Sequence, residues 1–120
     1  MPLESGSYGK ELIMDLHNCD VTTMEKHRIE RFLPELCARL DMVCMDKHWW
    51  TEEEGDDHLV GNTVVQFIRT SNITIHALTK MRRVYINVFS CKDFCAETAA
   101  KFIETWFNGS VESISVVVRV

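Results

Sequence analysis

The stretch Thr70-Ser71-Asn72-Ile73-Thr74-Ile75-His76 decides how the fold of this chain is interpreted. It is rich in β-branched residues, and Phe89-Ser90-Cys91 ends a similar apolar run, with Cys91 fifteen residues after His76. Strands that are joined by short connections pair antiparallel. We therefore expect three consecutive strands to bring a serine, a histidine and a cysteine together, which makes this segment the part of the chain that predicts chemistry.

The composition indicates one globular domain over residues 1–120. Of the 120 residues, 46% are hydrophobic and 26% are charged, and this length supports a single core. No apolar run approaches the roughly 20 residues of a membrane span. The N-terminal residues Met1 to Ser7 lack the basic and apolar regions of a secretory signal. We therefore expect a cytoplasmic protein with no membrane partner.

The formal net charge of -5 argues against a nucleic-acid partner, because the basic residues are scattered. Lys80-Met81-Arg82-Arg83 is the one dense basic segment, and it reads as a solvated turn between two apolar runs. The five cysteines make an odd count with no C-x-x-C pair, which favours reduced thiols. Apart from Cys91, we assign them to structural roles: Cys19, Cys37, Cys44 and Cys95.

A zinc site could be drawn from two distant pairs of side chains, His17 with Cys19 and Cys91 with Cys95. Their spacing matches none of the usual zinc patterns. The acidic segment from Thr51 to Asp57 does not fit a calcium loop either, and it reads as an exposed loop. We predict no metal site.

Hydrophobic patterning predicts the order β-α-β-β-β-β-α-β. The first helix begins after a cap at Thr22 or Thr23 and runs to Leu40 through Pro34, which should kink it or destabilise it. The second helix spans 95–107 after a cap at Asp93. The predicted strands are 12–16, 42–45, 63–68, 73–78, 84–89 and 114–120. This order predicts an α+β two-layer sandwich, a mainly antiparallel sheet with both helices on one face.

These residues resemble the small bacterial and archaeal S-adenosylmethionine decarboxylases, which are pyruvoyl enzymes of spermidine synthesis. The segment from Gly9 to Asp20 is similar to the family's opening strand and turn, and Gly61-Asn62-Thr63 is similar to its Gly-Val-Ser or Gly-Val-Thr. The family has a serine five residues before a histidine and a cysteine fifteen after it. Ser71, His76 and Cys91 keep both intervals.

The resemblance implies self-processing. Ser71 would attack the carbonyl of Thr70 and convert the amide into an ester, and loss of the Ser71 Cα proton would leave a pyruvoyl group on residues 71–120 and release residues 1–70. By the same resemblance, Thr63 supplies a processing hydroxyl and His76 the base. In turnover the pyruvoyl group withdraws electrons as carbon dioxide leaves, and Cys91 returns a proton. The resemblance further implies a homodimer or higher oligomer with active sites between protomers.

Each of these residues also has a structural interpretation. Ser71 could be a turn serine, His76 a core histidine and Cys91 a small buried hydrophobe. Trp49 and Trp50 could stack on a planar substrate ring or pack at a sheet edge.

The most consequential departure from the family is Lys80, at the position of the glutamate that holds the substrate ribose. An ammonium group cannot accept hydrogen bonds from hydroxyls. Thr70, Asn72 and Asn87 also differ from the family's Glu, His and Asp. We therefore expect a diverged decarboxylase acting on S-adenosylmethionine. The alternatives are a pyruvoyl enzyme acting on another amino acid, such as arginine or ornithine, and an uncleaved, noncatalytic binding or regulatory relative.

Overall fold

The protein contains one sheet of six strands, and most strands that are neighbours in the sheet are also consecutive in the chain. The computed structural model describes residues 6–120, so the expectation of no secretory signal at Met1 to Ser7 falls mostly on residues outside the described part. A short 3-10 helix spans Val21–Met24. The other elements are β1 (Gly9–His17), α1 (Lys26–Arg39), β2 (Cys44–Glu52), β3 (Gly61–Ile68), β4 (Ser71–Leu78), β5 (Arg83–Ser90), α2 (Ala96–Phe107) and β6 (Ser110–Arg119).

The strand order is β2-β3-β4-β5-β1-β6, and every neighbouring pair is antiparallel. Three short connections carry the chain from β2 to β5. On the other side of β5, the sheet continues with β1 and ends with β6. This architecture confirms the predicted α+β sandwich and the predicted element order.

Buried and more exposed residues alternate along the central strands, so the sheet has one buried face and one open face. Leu12, Ile75 and Ile86 lie on the buried face, which packs against both helices. Phe32 of α1 anchors the helix layer, because its ring lies 5.5 Å from that of Phe102 and 5.0 Å from that of Phe107. The sheet is therefore held from one side by an aromatic core, and the opposite face lacks such a layer within residues 6–120.

The first helix does not begin at Thr22 or Thr23 as predicted. The carboxylate of Asp20 accepts a hydrogen bond from the Thr22 backbone N–H at 3.0 Å and caps the 3-10 turn instead. Glu25 then takes an extended conformation, which separates the turn from α1. The α-helix continues through Pro34.

The second helix begins after Cys95, and the predicted cap at Asp93 is wrong. The Asp93 carboxylate accepts from the Phe94 N–H and lies 2.8 Å from the ammonium of Lys10. Lys10 is a buried residue of β1. The Asp93 carboxylate therefore forms an ion pair with the sheet and does not cap α2.

The two edge strands are longer than predicted. β2 continues through Trp49 and Trp50 to Glu52, so the exposed loop begins at Glu53. β6 begins at Ser110 immediately after the turn that ends α2. Among the described residues, no helix has the length and apolar character required to cross a membrane.

Candidate active site

The turn between β3 and β4 carries the predicted processing site. Arg69 and Thr70 connect the paired residues Ile68 and Ser71, as in a two-residue hairpin. Ser71 is also paired with Ser90 on β5. The predicted scissile bond between Thr70 and Ser71 therefore lies at the boundary of a turn and a strand, where neighbouring strands fix the backbone on both sides.

The carbonyl of Thr70 is held by the neighbouring strand. The backbone N–H of Cys91 donates a hydrogen bond to this oxygen at 3.0 Å. A backbone donor in that position would stabilise negative charge that develops on the oxygen during nucleophilic attack. The sheet thus places one backbone donor at the carbonyl before Ser71.

A second contact fixes the Thr70 side chain and involves Ser90, a residue to which we gave no role from the sequence. The hydroxyl oxygens of Thr70 and Ser90 lie 2.7 Å apart. Ser90 is fully buried, and its oxygen also accepts from the Lys92 N–H at 3.0 Å. The sequence shows only that Ser90 precedes Cys91. The strand register and the contact with Thr70 show that Ser90 lies next to the turn.

The Ser71 hydroxyl has a local partner. Its oxygen accepts a hydrogen bond from the amide nitrogen of Asn72 at 3.2 Å. An oxygen that accepts in this way still has its own proton to give up. The side chain of Asn72 can therefore orient this hydroxyl, and an amide group cannot act as a base.

Thr63 and His76 form a second pair of predicted site residues. They are directly opposite each other on β3 and β4, and the Thr63 Oγ1 lies 2.5 Å from the His76 Nδ1. The threonine hydroxyl fixes one ring nitrogen and leaves Nε2 as the other possible proton acceptor. Both side chains are partly exposed on the open face, because Ile75 and Ala77 on either side of His76 are buried.

The structure brings Thr63 and His76 into contact and places Ser71 and Cys91 near each other at another position along the sheet. Ser71 lies at the start of β4 beside Ser90 and Cys91, whereas His76 lies five residues further along the same strand. Five strand residues span about 16 Å. Within one chain, Thr63 with His76 and Ser71 with Cys91 therefore occupy different positions along the sheet.

The two tryptophans of β2 lie on opposite faces of the sheet. Trp49 packs against the core, with the ammonium of Lys26 over its ring at 5.2 Å. Trp50 is 67% exposed and is paired with Thr63. Trp50 thus adjoins the Thr63 and His76 pair on the open face, and Trp49 belongs to the structural layer.

Lys80 is directed towards the acidic loop. Its ammonium lies 3.4 Å from the carbonyl oxygen of Gly55 and 4.0 Å from the carboxylate of Asp57. The two features that depart most from the family, the acidic loop and Lys80, therefore contact each other. Their opposite charges partly neutralise one another at the exposed end of β4.

Asn87 belongs to a polar cluster that the sequence did not indicate. Its amide donates to one oxygen of Glu11 at 2.6 Å, and Arg119 lies 2.9 Å from the other oxygen. The Glu11 side chain is 17% exposed. An aspartate at position 87 would put two carboxylates in contact, so the asparagine is explained by Glu11 on the adjacent strand.

The two halves of the hypothetical zinc set, His17 with Cys19 and Cys91 with Cys95, lie far from each other. Gly9, at one end of β1, approaches Ser90 and Cys91, whereas His17 ends the same strand eight residues later, about 26 Å away. His17 and Cys19 therefore cannot share an ion with Cys91 and Cys95. Across residues 6–120, no three or more potential ligands form a metal-binding group.

Comparison with solved structures defines the class of fold. The crystal structure of the adenosylmethionine decarboxylase from Aquifex aeolicus VF5 matches with a TM-score of 0.76 and 21% sequence identity, covering 94% of this chain and 89% of that chain. No curated protein sequence matches. A sequence model of the S-adenosylmethionine decarboxylase family matches residues 10–120. The chain belongs to the S-adenosylmethionine decarboxylase family.

Proposed function

We propose that this protein is a self-cleaving, pyruvoyl-dependent decarboxylase that acts on S-adenosylmethionine in polyamine (spermidine) biosynthesis. The observation that carries this proposal is the position of the Thr70 carbonyl. It lies one bond before Ser71 and accepts the Cys91 N–H at 3.0 Å. Family membership gives the activity its class, and this contact supports processing at Ser71.

Processing begins with attack of the Ser71 oxygen on the carbonyl carbon of Thr70. The Cys91 N–H stabilises the oxygen that becomes negative, and collapse breaks the peptide C–N bond and leaves an ester. Removal of the Ser71 Cα proton then breaks the Cβ–Oγ bond and releases residues 1–70 with a C-terminal carboxylate. At the new N-terminus, water supplies the keto oxygen of the pyruvoyl group, and the nitrogen of residue 71 leaves as ammonia.

The proton transfers need a base, and His76 with Thr63 is the candidate pair. Because one chain holds His76 about 16 Å along β4 from Ser71, we propose that the base comes from a second copy of the chain. The open faces of two sheets would pack together, and each Ser71 and Cys91 pair would meet the partner's Thr63 and His76 pair. The exposed Trp50 and the half-exposed Phe67 on this face support a partner there.

In turnover, the pyruvoyl group would supply a carbonyl that withdraws electrons from the substrate as carbon dioxide is lost. The residues of this chain would position that group and deliver a proton. Cys91 is partly exposed and directly follows Ser90, which is paired with Ser71, and this supports Cys91 as the proton donor. Trp50 would stack on a planar ring of the substrate.

One observation favours a second candidate substrate. Lys80 stands where the family has the ribose-binding glutamate, and its ammonium is already engaged with Gly55 and Asp57. An amino acid without a ribose, such as arginine or ornithine, would need no such acceptor. Carbon dioxide release from labelled S-adenosylmethionine, arginine and ornithine would distinguish the two, and release from an amino acid alone would overturn the first choice.

Intact mass spectrometry of the purified protein tests the proposal directly. We expect two chains that meet between Thr70 and Ser71, with the mass of the second chain lowered by conversion of serine to pyruvoyl. Ser71→Ala should remain a single chain, whereas the matched control Ser113→Ala, on the exposed strand β6, should be cleaved normally. A wild-type chain that stays intact on long incubation would instead identify a noncatalytic relative.

A further inference from the structure

We propose that Cys37 and Cys44 form a reversible disulfide when the protein meets a small-molecule disulfide such as oxidised glutathione. Their Sγ atoms are 2.6 Å apart. This separation is about half an ångström longer than the ~2.05 Å of a disulfide bond. The inference concerns residues outside the proposed active site, and it does not depend on decarboxylase activity.

The chain holds the two thiols together through a hydrogen-bonded helix terminus. Asp41 takes a left-handed conformation with φ 54°, and the Met42 N–H donates to the Cys37 carbonyl at 2.8 Å. The Asp41 N–H donates to Ala38, which completes a Schellman motif. This motif reverses the chain after α1 and returns Cys44, at the start of β2, to the side of Cys37.

Two contacts from other elements fix the same connection. The ammonium of Lys92 lies 2.8 Å from the Asp41 carboxylate and 2.6 Å from the Asp41 carbonyl oxygen. The Arg69 N–H donates to the carbonyl of Val43 at 3.0 Å. The thiol pair is therefore positioned by a braced connection, and forming the bond requires little movement of the backbone.

The two thiols differ in access. Cys37 is buried on α1, whereas Cys44 is exposed at the surface. Burial raises the pKa of the Cys37 thiol, and its contact with Cys44 adds to this effect. The thiolate is the reactive form of a cysteine, so the exposed Cys44 is the thiol that reacts first.

The reaction proceeds by two thiol–disulfide exchanges. The Cys44 thiolate attacks oxidised glutathione, forms a mixed disulfide and releases one glutathione thiolate. The Cys37 thiol then gives its proton to solvent, and its sulfur attacks the Sγ of Cys44 and displaces the second glutathione. Two protein thiols are oxidised and one glutathione disulfide is reduced to two thiols, so no other oxidant is needed.

The sequence offers a clean test, because trypsin separates all five cysteines. Cys37 falls in peptide 32–39 and Cys44 in peptide 40–47, whereas Cys19, Cys91 and Cys95 fall in peptides 11–26, 84–92 and 93–101. The full chain is treated with oxidised glutathione, its remaining thiols are alkylated under denaturing conditions, and the digest is analysed without reduction. We expect a disulfide that joins peptides 32–39 and 40–47, the loss of the alkylatable thiols of Cys37 and Cys44, and recovery of both with dithiothreitol.

Three variants make the result decisive. Cys44→Ser changes an exposed position and should retain the fold while losing the cross-linked peptide. Cys37→Ala should instead trap glutathione on Cys44, and Cys95→Ser should behave as the wild type. Persistent glutathione on Cys44 of the wild-type chain, no oxidation of Cys44, or a disulfide to any other cysteine would overturn the proposal. Both cysteines precede Thr70, so the result is the same whether or not processing occurs.

Discussion

At the scale of single residues, His76 and Thr63 act as a unit. The threonine oxygen lies 2.5 Å from Nδ1 and orients the imidazole on the open face of the sheet. We predict that His76→Ala slows cleavage by about 10²- to 10⁴-fold, the contribution expected of a positioned base. Thr63→Ala should slow it less, by about tenfold, because the imidazole remains but one hydrogen bond is lost.

Cleavage rates after rapid dilution from denaturant, measured by gel or intact mass, would check this prediction. Thr63→Ser is the matched control, since it keeps the hydroxyl and should cleave at a rate close to that of the wild type. If His76→Ala were processed at the wild-type rate, the assignment of this histidine as the base would be wrong.

Two cysteines should differ sharply in reactivity at neutral pH. Burial raises the pKa of the Cys19 thiol to about 11. Hydrogen bonds from Thr98, first from its side chain and then from its backbone, lower the pKa of Cys95 at the start of α2. Because a lowered pKa enlarges the thiolate fraction at pH 7, we predict that iodoacetamide modifies Cys95 well before Cys19.

Time-resolved alkylation of the native protein, followed by tryptic mapping, measures both rates in one sample. Lowering the pH from 7 towards 6 should slow the alkylation of Cys95, since protonation reduces its thiolate fraction. Modification of Cys19 at the rate of Cys95 in the native protein would contradict the burial that the fold assigns to it.

At the scale of elements, the start of β1 lies close to the end of β5 and to Cys91, which directly follows it. An ideal Cβ on Gly9 would lie 2.3 Å from the carbonyl oxygen of Ser90 and 2.7 Å from the Cα of Cys91. We predict that Gly9→Ala destabilises the protein by about 1–3 kcal/mol, as overpacking does. It should also slow cleavage, because the displaced Cys91 N–H no longer meets the Thr70 carbonyl.

Urea unfolding of the variant gives the stability change, and a cleavage assay under fully folded conditions gives the effect on processing. Gly6→Ala is a suitable comparison, because a Cβ there meets nothing within 4 Å, although its positive φ of 93° adds modest strain. Normal cleavage by a folded Gly9→Ala protein would show that the Cys91 contact is dispensable.

The elements were largely predictable from the sequence, and their boundaries were not. Alternating apolar residues and short connections identified the strands around His76 and Cys91. The start of the first helix was wrong because Asp20 caps a separate 3-10 turn. The start of the second was wrong because the Asp93 carboxylate is paired with Lys10, which is 83 residues away in the chain. Such long-range partners leave no local signal.

The candidate site was predictable as a set of residue types but not as a geometry. The intervals between Ser71, His76 and Cys91 selected the candidate residues, and the strand register places Ser71 and His76 at different positions along β4. Ser90, Glu11 and the Cys37 and Cys44 pair were missed because each depends on contacts between elements. A spacing of seven residues between two cysteines has no particular meaning until a helix terminus folds one onto the other.

At the scale of the whole molecule, the open face of the sheet is where we propose that a second copy of the chain binds. One chain holds His76 about 16 Å along β4 from Ser71, which is why we propose that a second chain completes the site. The exposed apolar side chains on this face and the absence of a covering layer within residues 6–120 are what a partner of the same kind would bury.

Coexpression of Ser71→Ala with His76→Ala tests whether His76 of one chain acts on Ser71 of another. Each variant alone lacks one half of every site and should remain largely uncleaved. In a mixed oligomer, Ser71 of the His76→Ala chain meets His76 of the Ser71→Ala chain, so we predict cleavage of the His76→Ala chain alone, visible by intact mass. If native mass spectrometry shows mixed oligomers and neither chain is cleaved, His76 does not act on Ser71 across protomers and the proposed shared site is wrong.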